Sequence, residues 1–555
     1  MSAIATNAKR AAAAALFAFC GAAASQLHGP EIDTGRVEKH AVVAQRFMVA
    51  AADPRAVAAG VEILRAGGSA ADAAIAVQLV LGLVEPQSSG LGGGAFVLYW
   101  SGKARRVRSY DARETAPAAA RADRFLDRNR NPEDFMRAVA SGRSVGVPGV
   151  PRLLERLHRE HGRLPWPRLF EPAIRLAETG FPKTRRLARL LEREQILRGD
   201  PAARSLFYAG ARIVNRDYAA TLRALAEKGV DAFYRGPIGA DIVRAARSDL
   251  ALDDLMNYRV IEREPVCGGY RAYRLCGMGP PSSGGIGILQ ILGLLERTGF
   301  AHARPGSAEA VHLFSEAARL AYADRLRYVA DPAFVRPPVA KLLAAKYLDA
   351  RVKLIGERSM VFALPGELDS EAAGTSHLSI VDAEGNAVAM TTTIEHAFGS
   401  RILVRGFLLN NQLTDFGFLP TIAGRPAANR VEPGKRPRST MSPTLVFDAD
   451  GSLKMVIGSP GGLAILNYVA KTLVATLDWG MDIQAAISLP NFGSTNGPTF
   501  LERRTAYEEL GDALAERGHV LNYTPLTSGL HGIERVPGGW RGGADPRREG
   551  IAAGD

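Results

Sequence analysis

Thr375-Ser-His-Leu-Ser-Ile-Val-Asp-Ala-Glu-Gly-Asn-Ala-Val-Ala-Met-Thr-Thr-Thr393 is the stretch on which the reading of this chain turns. Its alternation and β-branched content describe two strands around Ala383-Glu384-Gly385. Three-residue hairpin loops commonly end on a left-handed glycine, and Gly385 fits that slot. This register pairs Asp382 with Asn386 and, counted outward, Thr375 with Thr393. Directly opposed residues hold their Cβ atoms about 4.5–5.5 Å apart, within reach of a Thr–Thr hydrogen bond. Thr pairs are common in sheets, so the pairing alone specifies a hairpin and no chemistry. His377 shares the Thr375 face by alternation, and a packed, hydrogen-bonded ring is expected there rather than a catalytic base.

Outward from the hairpin, helical and strand patterns alternate from about residue 50. Residues 55 to 66 read as a helix stopped by Gly67-Gly68. Ser69 and Asp72 form a capping-box pattern that opens an apolar helix from Ala70 to Leu83. Gly90-Leu-Gly-Gly-Gly94 opens a strand rather than a helix, so it lacks the geometry of a phosphate cradle and predicts close backbone packing. Residues 149 to 250 are mostly helical, and a long helix is expected near 308 to 328. A hairpin turning at Tyr270 to Tyr273 sets Cys267 and Cys276 symmetrically about its turn. They form either a cross-strand disulfide in an oxidising compartment or two buried thiols. Gly142-Arg-Ser-Val-Gly146 matches the nucleophile-elbow pattern, but a helix precedes it where a strand is needed, so a structural turn is expected.

The chain has 555 residues, 47% hydrophobic and 23% charged, which describes a folded globular protein. Three cysteines without zinc-site spacing exclude a disulfide scaffold and a structural metal core. The net charge of +12 comes from scattered Arg, with no long basic run and few interleaved aromatics. Nucleic-acid binding is not expected from it, and the Arg content reads as a compositional habit. Lys9 and Arg10 precede an apolar stretch from Ala11 to Ala24, too short for the roughly 20 residues of a membrane span. Ala22-Ala-Ala24 supplies a small-residue cleavage pattern, so residues 1–25 are read as a signal peptide and the protein as exported, periplasmic or secreted. No later stretch spans a membrane.

Taken in order, several stretches resemble the γ-glutamyltranspeptidase family of N-terminal nucleophile hydrolases. They are Glu85-Pro-Gln-Ser-Ser-Gly-Leu-Gly-Gly-Gly94, Asp111-Ala-Arg-Glu-Thr-Ala-Pro117, Val145-Gly-Val-Pro-Gly149 and Pro280-Pro-Ser-Ser-Gly-Gly285. Beyond the hairpin follow Leu409-Asn-Asn-Gln-Leu-Thr-Asp-Phe416, Gly434-Lys-Arg-Pro-Arg-Ser-Thr-Met-Ser-Pro-Thr444 and Gly458-Ser-Pro-Gly-Gly462.

The resemblance implies an α+β, four-layer αββα sandwich with two mainly antiparallel sheets. A large subunit, 26–374, and a small one, 375–555, would build it jointly as a heterodimer cut from one precursor. The implied scissile bond is Gly374–Thr375. Thr375 would then be the nucleophile and its freed α-amine, with a reference pKa near 8, the general base. Thr393 is the implied hydrogen-bond partner of the nucleophile, and Gly461 and Gly462 the implied oxyanion donors. Arg113, Ser439 and Thr440 match residues at a substrate carboxylate, and Gln412 and Asp415 match residues on its α-amino side.

Two departures bear on substrate choice. Glu395 stands where the family commonly has an Asn at the glutamyl group, and Leu463-Ala464 stand where Ser-Arg is usual. The stretch Gly417 to Gly434, which would carry the family's lid, is shorter than usual. The implied activity is γ-glutamyl transfer or hydrolysis on glutathione-like amides, with water or an amino acid as acceptor and no cofactor or metal. The alternatives are an acylase of glutaryl or cephalosporin type and an unprocessed binding homologue.

Overall fold

The computed structural model describes residues 34–364, 374–422 and 424–555. The expected signal segment, 1–25, lies outside them. Two seven-stranded sheets form the centre. The first runs in the order Ile551–Gly554, Met48–Ala51, Gly374–Val381, Ala387–Glu395, Gly94–Ser101, Arg106–Ala112 and Ile261–Arg263. The second runs Val42–Ala44, Gly539–Ala544, His531–Val536, Leu453–Gly458, Thr444–Phe447, Tyr273–Gly277 and Val266–Tyr270. Every pairing within both is antiparallel.

Side-chain alternation converts these two sheets into four layers. Met48, Ala50, Leu98, Trp100, Ala387 and Ala389 meet Leu445, Phe447, Val456 and Ile533 in a cluster between the sheets. Their neighbours Val49, Val97, Leu378, Ile380, Val388 and Met390 point the other way, against Ile75 and Leu79 of the helix Ala70–Val84. On the far side, Val446, Met455 and Ile457 pack against the helices Gly284–Leu295, Ala308–Tyr328 and Ile465–Leu477. The αββα sandwich expected from the sequence is the observed fold. Strands from before and after Gly374 both enter each sheet, so the expected large and small pieces share one core.

Local expectations meet the structure as follows. Asp382 N–H donates to Asn386 O at 3.0 Å around the 383–385 loop, and Gly385 takes φ +74°. The Asp382 carboxylate accepts from Glu384 N and Asn386 N and also from Ala70 N at 3.0 Å, tying the hairpin turn to the start of the buried helix. A Cβ on Gly93 would lie 2.0 Å from Thr393 O, so this glycine-rich loop does serve close backbone approach. Cys267 and Cys276 face one another across their hairpin and are disulfide-bonded. Ser144 sits buried in a short 3-10 turn with its hydroxyl on Val139 O and Ser141 O, a structural turn rather than a nucleophile elbow.

The Arg content is more than a compositional habit. Arg436 pairs with Asp111 at 2.8 Å, and Arg547 with Glu502 at 2.6 Å and Asp545 at 3.1 Å, all buried. Sequence spacing could not show this, because each partner lies on a distant segment or is one of many nearby acids. Among the described residues no helix is long and apolar enough to cross a membrane.

The cap that starts the buried helix yields a stability test. Ser69 Oγ accepts from Asp72 N at 3.1 Å, while Asp72 Oδ2 accepts from Ser69 N, Arg163 N and Leu164 N at 3.0, 2.9 and 3.2 Å. Ser69→Ala should cost about 1 kcal/mol, as lost caps do. Asp72→Ala strands more buried donors and should cost about 3 kcal/mol. Chemical denaturation of the two variants checks this order, and an equal loss would show that Asp72 acts only as a cap.

Candidate active site

Odd-numbered residues of the strand Gly374–Val381 face the second sheet, which places Thr375 and His377 in the space between the sheets. The hairpin register holds from Val381↔Ala387 to Ser376↔Thr392, then shifts, and Gly374 lies opposite Glu395. Thr375 therefore sits in a β-bulge facing the Thr393 end of the partner strand, instead of in a regular Thr375–Thr393 pair. Both threonines are buried, and both line one cleft with Arg113, Gln412, Asp415, Ser439, Thr440, Met441 and Leu463. The cleft is narrow, with a volume of about 10 Å³, room for about one water molecule.

Each wall comes from a different element. Arg113 follows the end of the strand Arg106–Ala112. Its guanidinium pairs with Asp415 and donates to Pro437 O at 3.2 Å and Arg438 O at 2.8 Å. Gln412 and Asp415 share the 3-10 turn Gln412–Asp415, where Gln412 Nε2 donates to Asp415 Oδ2 at 2.6 Å. Gln412 Oε1 is buried without a protein partner. The 439–440 loop is held by Ser283 N, which donates to Ser439 O at 2.9 Å. Ser439 Oγ accepts from Met441 N at 3.1 Å, leaving its own proton for an acceptor in the cleft. Thr440 differs: its hydroxyl donates to Gly462 O at 2.8 Å, so its single proton is already committed.

Gly461 and Gly462 turn the chain from the strand Leu453–Gly458 into the helix Ile465–Leu477. Gly461 adopts φ +135°, and a Cβ there would lie 2.4 Å from Tyr468 Cε2, so the turn needs glycine. Neither glycine lines the cleft directly, but Leu463 beside them does. Tyr322 hydrogen-bonds the Leu463 carbonyl and braces this turn from the helix Ala308–Tyr328. Leu463 and Met441 make the apolar part of the wall. Leu463 is one of the two departures visible in sequence, whereas Met441 lies in a quoted stretch but was assigned no role.

Glu395 does not continue the strand's alternation. The strand ends there with φ +77°, a left-handed value that non-glycine residues other than Asn and Asp rarely adopt. The side chain is fully buried and does not line the cleft, with Asn411 Nδ2 donating to Oε2 and Oε1 lacking a protein partner. Burial, and then the charge of Asp415, push its pKa well above the usual carboxylate range. Its main-chain N–H donates to Thr393 Oγ1 at 2.7 Å, which reserves the Thr393 proton for another acceptor. Glu114, which sequence reasoning passed over, lies fully buried beside Arg113, and desolvation raises its pKa to about 8. His377 bonds to Thr391 Oγ1 at 2.9 Å and Ser379 Oγ at 3.0 Å, the packed role expected for it; burial holds its pKa well below 6.5.

Among the described residues, one group has converging metal-ligand types: His312, Glu316 and His519. These side chains are already bonded. His312 Nδ1 meets His519 Nε2 at 2.8 Å, His312 Nε2 meets Gly356 O at 2.8 Å, and Glu316 pairs with Arg319 at 3.0 Å. None of them lines the cleft.

Comparison with known proteins gives this geometry a context. Residues 56–555 match the gamma-glutamyltranspeptidase family. The chain is 37% identical over 507 residues to a glutathione hydrolase proenzyme of Escherichia coli (strain K12), covering 87% of each. It is 34% identical over 535 residues to the acylase ACY 1 proenzyme of Pseudomonas sp. (strain SE83), covering 93% of this chain and 94% of that one. Among solved structures, a cephalosporin acylase from Bacillus halodurans matches with a TM-score of 0.84 at 28% identity, over 94% of this chain and 98% of that one.

The buried acid at 395 predicts a pH-dependent stability difference. A carboxyl with a raised folded pKa takes up a proton on folding once the unfolded form ionises, so its contribution is present at low pH and fades as pH rises. Gln keeps the shape of the protonated acid without that requirement. Glu395→Gln should therefore gain stability over wild type as pH rises from about 5 to 8, by at most about 1.4 kcal/mol per pH unit. A difference that stays flat across paired denaturation curves would mean that Glu395 is ionised when folded.

Proposed function

The chain belongs to the γ-glutamyltranspeptidase family of N-terminal nucleophile hydrolases, and from that premise we propose that it is an autoprocessing glutathione hydrolase or γ-glutamyltransferase. One observation carries this reading. Thr375, Thr393, Arg113, Gln412, Asp415, Ser439 and Thr440, drawn from separate segments, line the same cleft.

In the intact chain the Thr375 nitrogen is an amide and cannot accept a proton. Attack of its Oγ1 on the Gly374 carbonyl would shift the acyl bond from nitrogen to oxygen, and water would release the ester. The freed α-amine, with a reference pKa near 8, then serves as base. It takes the Thr375 hydroxyl proton as Oγ1 attacks the substrate amide, and it returns that proton to the departing amine. Backbone N–H groups of Gly461 and Gly462 are assigned to the tetrahedral oxyanion, where one such donor is typically worth about 3–4 kcal/mol. Water or an amino acid resolves the Thr375 ester. The two pieces would remain one heterodimer, and residues 1–25 would direct export to the periplasm or beyond.

The Arg113–Asp415 pair supports a γ-glutamyl substrate. The amino-acid end of a glutamyl group is a zwitterion, so its carboxylate and ammonium can replace each partner of that pair with a matching charge. Ser439 adds a hydroxyl donor to the carboxylate, and Gln412 Oε1 an acceptor to the ammonium. A glutaryl group brings only the carboxylate and would leave Asp415 uncompensated near Glu395. The acylase reading draws on Leu463 and Met441 in the wall and on the similarity to acylases.

Two measurements test the proposal. Mass spectrometry of purified protein should find a fragment beginning at Thr375, and Thr375→Ala should stay a single chain without turnover. Full-length wild-type protein with full amidase activity would overturn the mechanism. Against matched amides, kcat/KM should favour the γ-glutamyl over the glutaryl substrate, and Glu395→Asn should narrow that margin by relieving the second acid. A wild-type preference for the glutaryl substrate would make the acylase reading the better one.

A further inference from the structure

The bulge interrupts the main-chain ladder at Thr375, between the pairs Ser376↔Thr392 and Gly374↔Glu395. On the opposite face of the strand a side-chain contact reaches the same point. By alternation Ser376 points away from the cleft, toward the helical layer. There its Oγ donates to Glu85 Oε2 at 3.0 Å. The other Glu85 oxygen accepts from Arg186 Nη1 at 3.0 Å and Gln87 Nε2 at 3.2 Å, and the Glu85 and Arg186 side chains are almost wholly buried. Arg186 N in turn donates to Glu549 Oε1 at 3.0 Å. The same loop grips the partner strand beyond Thr393: Ile394 N donates to Ser88 O at 3.1 Å and Phe398 N to Gln87 O at 3.0 Å.

We infer that Glu85 is a positioning residue for Thr375, acting through Ser376 from behind the sheet. Residues 85–88 thus form a clamp that spans both threonine strands just where their own ladder shifts register. The clamp fixes the direction in which Thr375 Oγ1 points, and it keeps a rigid anchor one residue beyond the Gly374–Thr375 bond. The inference rests on the reading of Thr375 as nucleophile. A misplacement of about 1 Å at a reacting atom can cost 100-fold in rate, so a lost anchor should be visible in turnover.

The test uses full-length protein and the variants Ser376→Ala, Ser376→Thr, Glu85→Gln and the Ser376→Ala/Glu85→Gln double. Thr375→Ala is the control for the parent reading: if it still turns over, that reading fails, whatever the others do. Given an inactive Thr375→Ala, Ser376→Ala should slow both self-cleavage and kcat by about 10- to 100-fold, with KM within about threefold of wild type. Ser376→Thr keeps the hydroxyl and should restore most of the loss. The double variant should be no worse than its more damaged parent, because both remove one contact. Should Ser376→Ala fail to fold, Glu85→Gln, which places a donor group among the Glu85 donors, must itself slow kcat without raising KM. Wild-type kcat in Ser376→Ala, a loss confined to KM or to melting temperature, or additive losses in the double variant would each overturn the clamp.

Discussion

The main-chain ladder joining Gly374–Val381 to Ala387–Glu395 lies in the middle of a sheet whose two faces are both covered. Its register decides which way Thr375 points. A slip of one residue would turn every side chain of the strand over and send Thr375 under the helix Ala70–Val84. What forbids the slip is the apolar pattern. Leu378, Ile380, Val388 and Met390 belong to the helix-facing cluster, while Val381, Ala387 and Ala389 belong to the cluster between the sheets. Hydrophobic burial, which carries no chemical information, thus aims the hydroxyl that the chemistry needs. The strand's central position has a second consequence. Strands from both sides of Gly374 enter both sheets, so a chain cut at that bond would still be held by its shared core.

Much of this was legible in sequence because it is local. The 383–385 loop, the outward register and the capping box at Ser69 depend on residues within a few positions of one another. So does the helix Ala308–Tyr328, whose ends match the expected span. The αββα arrangement and the grouping of site residues came through resemblance, since no periodicity relates Arg113 to Asp415 across some three hundred residues. The bulge at Thr375 was not legible, because the hairpin count carries register forward and has no term for the point where a ladder fails. The left-handed Glu395 was not legible either, since alternation carries no sign of where a strand's regular geometry ends. The Cys267–Cys276 bond could not be chosen over two thiols, since a symmetric hairpin position allows both.

The clamp at Glu85 shows a different limit. Glu85 opens one of the quoted stretches, yet its partner Ser376 is 291 positions away and sits on the face that alternation assigns to packing. Read from sequence, an acid after a buried helix is a helix end. Only the juxtaposition of that end with the back of the Thr375 strand gives it a further role. Buried Arg residues follow the same logic. Arg186 carries the Glu85 contact onward to Glu549, and neither pairing could be told from the scattered surface Arg by composition.

The cleft is built from turns that behave as core. Arg113, Gln412, Asp415, Ser439 and Thr440 are all buried, and their hydrogen bonds run to one another or to main chain. In so buried a setting a charge interaction is stronger than at a surface, and an unpaired polar group costs correspondingly more. Thr440 spends its proton on Gly462, so donation to an anionic group falls to Arg113 and Ser439. Acceptors for a cationic group are Asp415 and the unpartnered Gln412 oxygen. Leu463 and Met441 supply no polar alternative. Discrimination in this cleft therefore rests on charge balance more than on shape, because a guest that supplies one charge without the other leaves a buried partner uncompensated.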